Sequence, residues 1–248
     1  MNERKTTMEV QIWSDFACPF CYIGKQQLEA ALDQFDHKDE VEIVFKSFEL
    51  DPNAPKNVDY DVHDMLVRKY GMSRSKAIAM NDQLKEVGEK NGIDFQFDPL
   101  VLTNTFDAHR LAQFATSQGK GESLILELFK AYFTDAKHLG DHQTLIDIAE
   151  KVGLNTEEVE AILKSDEFAD DVRANETEAS KLGVSAVPFF KVNNKYAIKG
   201  AQSTEVFLNT LQTAWKEEEA RQKASTETTD ALEACGDGFC VPTVNAKK

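Results

Sequence analysis

The stretch SDFACPFCYIGKQQLEAAL, residues 14–32, sets Cys18 and Cys21 three positions apart where one sequence pattern gives way to another. Upstream, Met8 to Ser14 alternates and is β-branched enough to read as a strand. Downstream, Ile23, Leu28, Ala31, Leu32 and Phe35 recur at helical spacing from Pro19 to Phe35. Pro19 suits a first helical turn, where its missing N–H costs nothing. One turn of helix brings two sulfurs within bonding range, and a helix amino terminus favours a thiolate there. The expectation is a redox-active dithiol in which Cys18 attacks and Cys21 resolves.

Working outward, Val41 to Phe48 reads as a second strand, so strand–helix–strand occupies about forty residues and predicts a βαβ unit with parallel strands. DPNAPKNVD (51–59) is a loop. From Tyr60 to about Leu182 the periodicity is helical. Candidate helices are Asp61–Tyr70, Arg74–Asn91, Thr105–Gln118, Glu122–Ala136, Thr144–Val152, Thr156–Lys164 and Glu167–Leu182. Asn104, Thr105, Asn155 and Ser165 stand at cap positions; Gly71, Gly92, Gly119 and Gly153 stand where helices stop. Strand character returns at Val187–Val192 and Lys195–Lys199, joined by Asn193-Asn194 as a tight hairpin. A last helix is expected over Thr204–Gln222, with Val206, Phe207, Leu211 and Trp215 on one face. Residues 223–248 read as a flexible tail.

With 248 residues and a formal charge of −15, the chain lacks the basic footprint of a nucleic-acid binder. No stretch is apolar enough for a leader peptide or a membrane span, so a cytoplasmic location is expected. In that compartment four cysteines in two close pairs read as catalytic, redox-sensing or metal-binding rather than as a structural framework.

Five segments together resemble the DsbA-like thioredoxin superfamily, particularly its FrnE-type branch. They are SDFACPFCYIGKQQLEAAL, FKSFELDP, NTFDAHRLAQFA, LFKAYF and GVSAVPFFKVNNKYAIKGAQ, spread from Met8 to Trp215. The branch is also similar to 2-hydroxychromene-2-carboxylate isomerases and kappa-class glutathione transferases, whose working residue is typically a serine where this chain has Cys18. The resemblance implies an α/β, thioredoxin-like fold with a large all-helical insertion. The thioredoxin-like part would take residues 8–59 and 183–222, the insertion 60–182. It implies a thiol–disulfide oxidoreductase acting through Cys18-Pro19-Phe20-Cys21 on protein or small-molecule thiols and disulfides, with no nucleic acid and no membrane as partner. It further implies a cis Val187–Pro188 bond facing Cys18, the Val187 backbone pairing with substrate. No metal and no organic cofactor is implied; glutathione is the expected redox partner. Two other readings stay open: a glutathione-dependent isomerase or transferase, and a redox-regulated, chaperone-like binding protein.

Several residues have plain structural readings beside the functional ones. Pro188 is sterically permitted at a strand start whatever its role. Phe20 offers no hydrogen bond to a thiolate, so the potential is expected to be less oxidising than the roughly −120 mV of DsbA. His109 reads first as a packed or exposed helical residue, and Arg110 as a surface ion pair rather than an anion contact. Phe16, Phe106, Phe189 and Phe190 belong first to the core. Cys235 and Cys240, spaced by Gly236 and Gly238, form either a second redox pair exchanging with Cys18/Cys21 or an incidental pair in the tail.

Overall fold

β1 (Met8–Ser14) runs into α1 (Pro19–Leu32), and a 3-10 turn at Lys38–Glu40 leads to β2 (Val41–Ser47), which pairs parallel to β1 over its whole length. The computed structural model describes residues 8–233, with side chains described over 8–222. Seven helices follow: α2 (Val62–Tyr70), α3 (Arg74–Lys90), α4 (Phe106–Ser117), α5 (Gly121–Phe133), α6 (His142–Lys151), α7 (Thr156–Leu163) and α8 (Ala169–Lys181). The chain then returns to the sheet as β3 (Phe189–Val192) and β4 (Tyr196–Lys199) and ends in α9 (Thr204–Glu233). The sheet order is β2-β1-β3-β4, with β3 antiparallel to both neighbours. This is the α/β arrangement expected, a thioredoxin-like sheet with a helical insertion between β2 and β3.

Alternation along the strands divides the core in two. Met8, Val10 and Ile12 of β1 join Phe190 and Val192 of β3 in a cluster with Leu28 and Phe35, closed by Phe207, Leu211 and Trp215 of α9. Trp13 and Phe189, one step along each strand, point to the other cluster, which they share with the insertion. Their rings meet edge-on at 5.7 Å. The insertion therefore packs on the second face of the sheet, and its apolar surface is continuous with Cys18, Cys21, Tyr22 and Ile23. α8 also seals the edge strand β2: Ser47 N–H donates to Asn175 Oδ1 at 2.9 Å, and the Trp13 indole donates to the Asn175 carbonyl at 3.1 Å. A side chain bonded to the end of the edge strand in this way blunts it against pairing with a stray strand.

Most element ends fall within two or three residues of expectation, and three differences have physical causes. β3 begins at Phe189, not Val187, because Pro188 has no N–H for the ladder. α8 begins at Ala169, not Glu167: Ser165 Oγ accepts from Glu167 N as expected of a cap, but Phe168 adopts a left-handed φ of 62° and restarts the helix. α9 continues to Glu233, eleven residues past Gln222, so the expected tail begins as helix. KASTETTDALE lacks the apolar period of a packed helix, yet it contains no Pro or Gly to stop one. Asn193 and Asn194 take φ of 47° and 56°, the hairpin geometry that their pairing predicted. Among the described residues no helix is long and apolar enough to cross a membrane.

Candidate active site

Cys18 is the N-cap residue of α1, extended at φ −101° and ψ 109°, with Pro19 in the first turn. Its amide donates to the Asp15 carbonyl at 3.1 Å, and the Cys21 amide donates to the Cys18 carbonyl at 3.0 Å. Both cysteines are free thiols. Both are also nearly buried, at 4% and 2% exposure, so exposure does not distinguish attacker from resolver. Electrostatics does bear on Cys21. Burial, then the hydrogen bond and charge of Cys18, push its thiol well above the ordinary range; the Ser14 hydroxyl and the Asp15 amide pull the other way. Two neighbouring thiolates in one dry site repel, so only one of the pair ionises readily.

The loop before β3 completes the site. The Val187–Pro188 bond is cis, as the resemblance implied, and the Cys18 thiol donates to the Val187 carbonyl at 3.6 Å. Phe20 stands 51% exposed beside the dithiol. Gly24, one turn beyond Cys21, lets α1 approach this loop: a Cβ there would lie 3.0 Å from Phe190 Cζ and 3.1 Å from Pro188 Cγ. Neither neighbour yields easily, since Phe190 is fully buried and Pro188 is a closed ring. Gly24→Val is therefore expected to cost about 1–3 kcal/mol of stability by overpacking. A urea midpoint lowered with unchanged slope would show it; an unchanged midpoint would refute the close approach as a constraint.

Asp15 is the residue that sequence reading missed. Its carboxylate, in a side chain 2% exposed, accepts from Ala17 N at 3.1 Å and Thr105 Oγ1 at 2.8 Å through Oδ1, and from Leu50 N at 2.7 Å through Oδ2. His109 Nε2 lies 3.4 Å from Oδ1, a contact without the alignment of a full hydrogen bond. Burial opposes the charge on Asp15, but His109 and the two backbone amides outweigh it and hold the carboxyl below its usual range. His109 is thus neither exposed nor isolated: it is 3% exposed, with its ring 4.7 Å from Phe16. Next to it, Glu49 is buried and tied to Arg173, yet burial still raises its carboxyl. The only local clue to Asp15 is its position two residues before an amide that it caps, a common Asx turn.

The other expected residues separate. Arg110 is not a surface ion pair; it is 3% exposed, bonded to Asp107 at 3.0 Å and to the carbonyls of Ile162, Ser165 and Glu167, where it ties the end of α7 to α4. Phe16 packs on Phe129, Phe189 on Trp13, and Phe190 on Phe207 on the α9 face of the sheet; Phe106 lies under Arg173 at 4.3 Å. Cys235 and Cys240 lie outside the described residues.

The model of the DSBA-like thioredoxin domain matches residues 9–212. A probable DsbA oxidoreductase from Streptomyces coelicolor superposes with a TM-score of 0.81 at 42% identity, covering 85% of this chain and 91% of that one. The uncharacterized protein YwbO of Bacillus subtilis is 28% identical over 204 residues, 81% of this chain and 94% of that protein. A 2-hydroxychromene-2-carboxylate isomerase shares the fold, with a TM-score of 0.63 at 17% identity over 88% of this chain and 98% of its own.

Proposed function

Since the chain belongs to the DSBA-like thioredoxin domain family, we propose that it is a thiol–disulfide oxidoreductase working by exchange between Cys18 and Cys21. The observation that carries this reading is a pair of free cysteines one helical turn apart at the start of α1, the first of them against the carbonyl that precedes the cis Val187–Pro188 bond. An isomerase or transferase acting through one glutathione adduct has no use for a second, coupled thiol. In the proposed cycle the Cys18 sulfur attacks a substrate disulfide and forms a mixed disulfide. Cys21 then attacks Cys18 and releases the substrate as a thiol. The Val187 carbonyl, now hydrogen-bonded to Cys18, and the Pro188 ring beside α1 form the wall against which an extended substrate lies. Glutathione is the proposed small-molecule partner, reducing or oxidising the pair by the same exchange, with no metal and no organic cofactor. A cytoplasmic setting remains part of this proposal.

The test is catalysis of insulin reduction and of disulfide reshuffling by the full chain, with the equilibrium of the Cys18/Cys21 pair against glutathione measured alongside. Turnover in at least one assay is expected. The half-exposed Phe20 offers the dithiol no donor, so a potential more reducing than about −120 mV is expected. Inactivity in both assays would remove the oxidoreductase reading, and a potential near that value would remove the role given to Phe20.

A further inference from the structure

Parallel pairing puts the C-terminal ends of β1 and β2 at one end of the sheet, so the loop after β2 lies at the dithiol end of the molecule. The Leu50 amide, bonded to Asp15 at 2.7 Å, fixes it there. α8 runs antiparallel to β2: Lys46 pairs with Glu178 at 3.1 Å, the Ser47 amide reaches Asn175, and Glu49 pairs with Arg173. Each step toward the dithiol along β2 is thus a step toward the start of α8. The first turn of α8 and the residues before it therefore lie beyond Glu49, at the dithiol end. Arg110 gives the same placement from α4. It holds the Glu167 carbonyl at 2.9 Å, and its neighbour His109 contacts Asp15.

This end carries uncompensated negative charge. Asp51, Asp166, Glu167, Asp170 and Asp171 are exposed, and none makes an ion pair among the described residues. The cations nearby are engaged elsewhere, Lys56 with buried Asp107 at 2.7 Å and Arg173 with Glu49 and Glu176. The segment LGVSAVP (182–188), on the other side of the dithiol, has no charge. Across α1, burial and then the carboxylates of Glu29, Glu127 and Asp135 raise the phenol of Tyr22, next to Cys21. Asp170 and Asp171 have a structural use, since acids in a first turn complement the helix dipole. That use does not extend to Asp51, Asp166 or Glu167. Beside the sulfurs, Phe20 presents a half-exposed aromatic ring, whose face attracts cations.

We infer that this end of the molecule selects cationic disulfides, namely polypeptide segments with lysine or arginine beside the cysteine. The inference rests on the dithiol function proposed above and leaves its chemistry unchanged: Cys18 forms the mixed disulfide, and Cys21 releases the substrate thiol. What the charge alters is encounter. Charges of one sign around a reacting centre concentrate substrates of the opposite sign and repel those of the same sign. No single carboxylate has to touch the substrate. Salt weakens the effect, because the screening length shrinks from about 30 Å at 0.01 M to about 8 Å at 0.15 M. Glutathione, a net anion, meets the same charge and exchanges more slowly than a cationic thiol of equal reactivity.

The experiment uses the reduced full chain with Cys235→Ser and Cys240→Ser, and three blocked pentapeptides, each as its symmetric disulfide. They differ only two positions either side of the central cysteine, where they carry lysine, glutamate or serine. Every rate is divided by that of dithiothreitol with the same peptide, which removes the intrinsic reactivity of each disulfide. The lysine peptide is expected to react about thirtyfold faster than the glutamate peptide at 10 mM ionic strength, and only about three- to fivefold faster at 150 mM. Asp170→Asn with Asp171→Asn should cut the low-salt ratio about threefold. Asp166→Asn with Glu167→Gln, outside the helix, should do the same, so a fault in folding α8 is not mistaken for lost charge. Glu217→Gln with Glu218→Gln makes an equal charge change at the far end of the sheet, where Glu217 meets Lys195 of the β3–β4 turn, and should leave the ratio unchanged. Equal rates for the lysine and glutamate peptides would overturn the selection and leave the dithiol function standing. So would a ratio that salt does not lower, or one lowered as much by the far-end pair. No reaction with any of the three peptides would instead overturn the dithiol function, and the selection with it.

Discussion

Replacing Cys18 by serine is expected to lower insulin reduction by about a thousandfold or more, because among the described residues Cys18 is the thiol placed at the N-cap of α1 beside the Val187 carbonyl to form the first bond to substrate sulfur. A serine hydroxyl is not ionised near neutrality, and no general base stands ready to activate one in its place. Cys21→Ser is expected to behave differently. The first attack survives, release fails, and a mixed disulfide with an insulin chain or glutathione accumulates on Cys18, visible by mass spectrometry of the unreduced protein. This assignment does not follow from exposure, since the two sulfurs are equally sequestered. It follows from Cys18 standing at the N-cap of α1, beside the Val187 carbonyl at the entrance to β3, while burial and its neighbour hold Cys21 protonated. A mixed disulfide trapped in Cys18→Ser but not in Cys21→Ser would reverse the two roles. Turnover retained in Cys21→Ser would favour the glutathione-adduct chemistry of an isomerase or transferase.

The second large effect concerns stability. Asp15→Ala is expected to cost about 3–5 kcal/mol at pH 7, since three donors lose a buried carboxylate acceptor and each one left unsatisfied costs about 1–3 kcal/mol. It leaves the Ala17 and Leu50 amides and the Thr105 hydroxyl without their acceptor, and removes the carboxylate that His109 contacts. Asparagine is not a remedy. One carboxylate oxygen serves Ala17 and Thr105 and the other serves Leu50, so an amide turns a donor toward a donor on one side. The carboxyl titrates below its usual range in the folded protein. Its contribution is therefore complete above the unfolded value of about 3.9 and is lost as pH falls through the folded one. Urea titrations of parent and Asp15→Ala should show a gap that is constant from pH 7 to about 5 and narrows below about 4. A gap under about 1 kcal/mol at pH 7 would show that the Asp15 contacts do not hold the site together.

What could be read from the sequence is what lies close along it. The cysteines are three residues apart, the strand and helix flanking them are contiguous, and the hairpin is spelled by two adjacent asparagines; local geometry decides all three. Asp15 is different. Its partners are 35 and 90 residues away, and a carboxylate in a turn looks the same in sequence whether it meets water or three donors. The same applies to Arg110, whose carbonyl partners lie 52 to 57 residues on. His109 reads as an ordinary helical residue until α4 is laid against the active-site turn. Gly24 was open to notice, as a glycine inside a helical pattern, but only the approach of Pro188 and Phe190 gives the reason. The start of α8 turns on a single left-handed residue, Phe168, which no propensity marks.

The sheet order has a consequence for the making of the protein. β1 lies between β2 and β3, so the Val187 carbonyl and the Pro188 ring that face the active-site helix come from a loop that is synthesised long after the cysteines. Pro188 is the 167th residue after Cys21. At about 5–20 residues per second, a ribosome takes roughly 8–33 seconds to reach it. During that interval a nascent chain carries a dithiol with neither its carbonyl partner nor its closing loop. Any oxidant or thiol that meets it then does so before the pocket that confers selectivity exists.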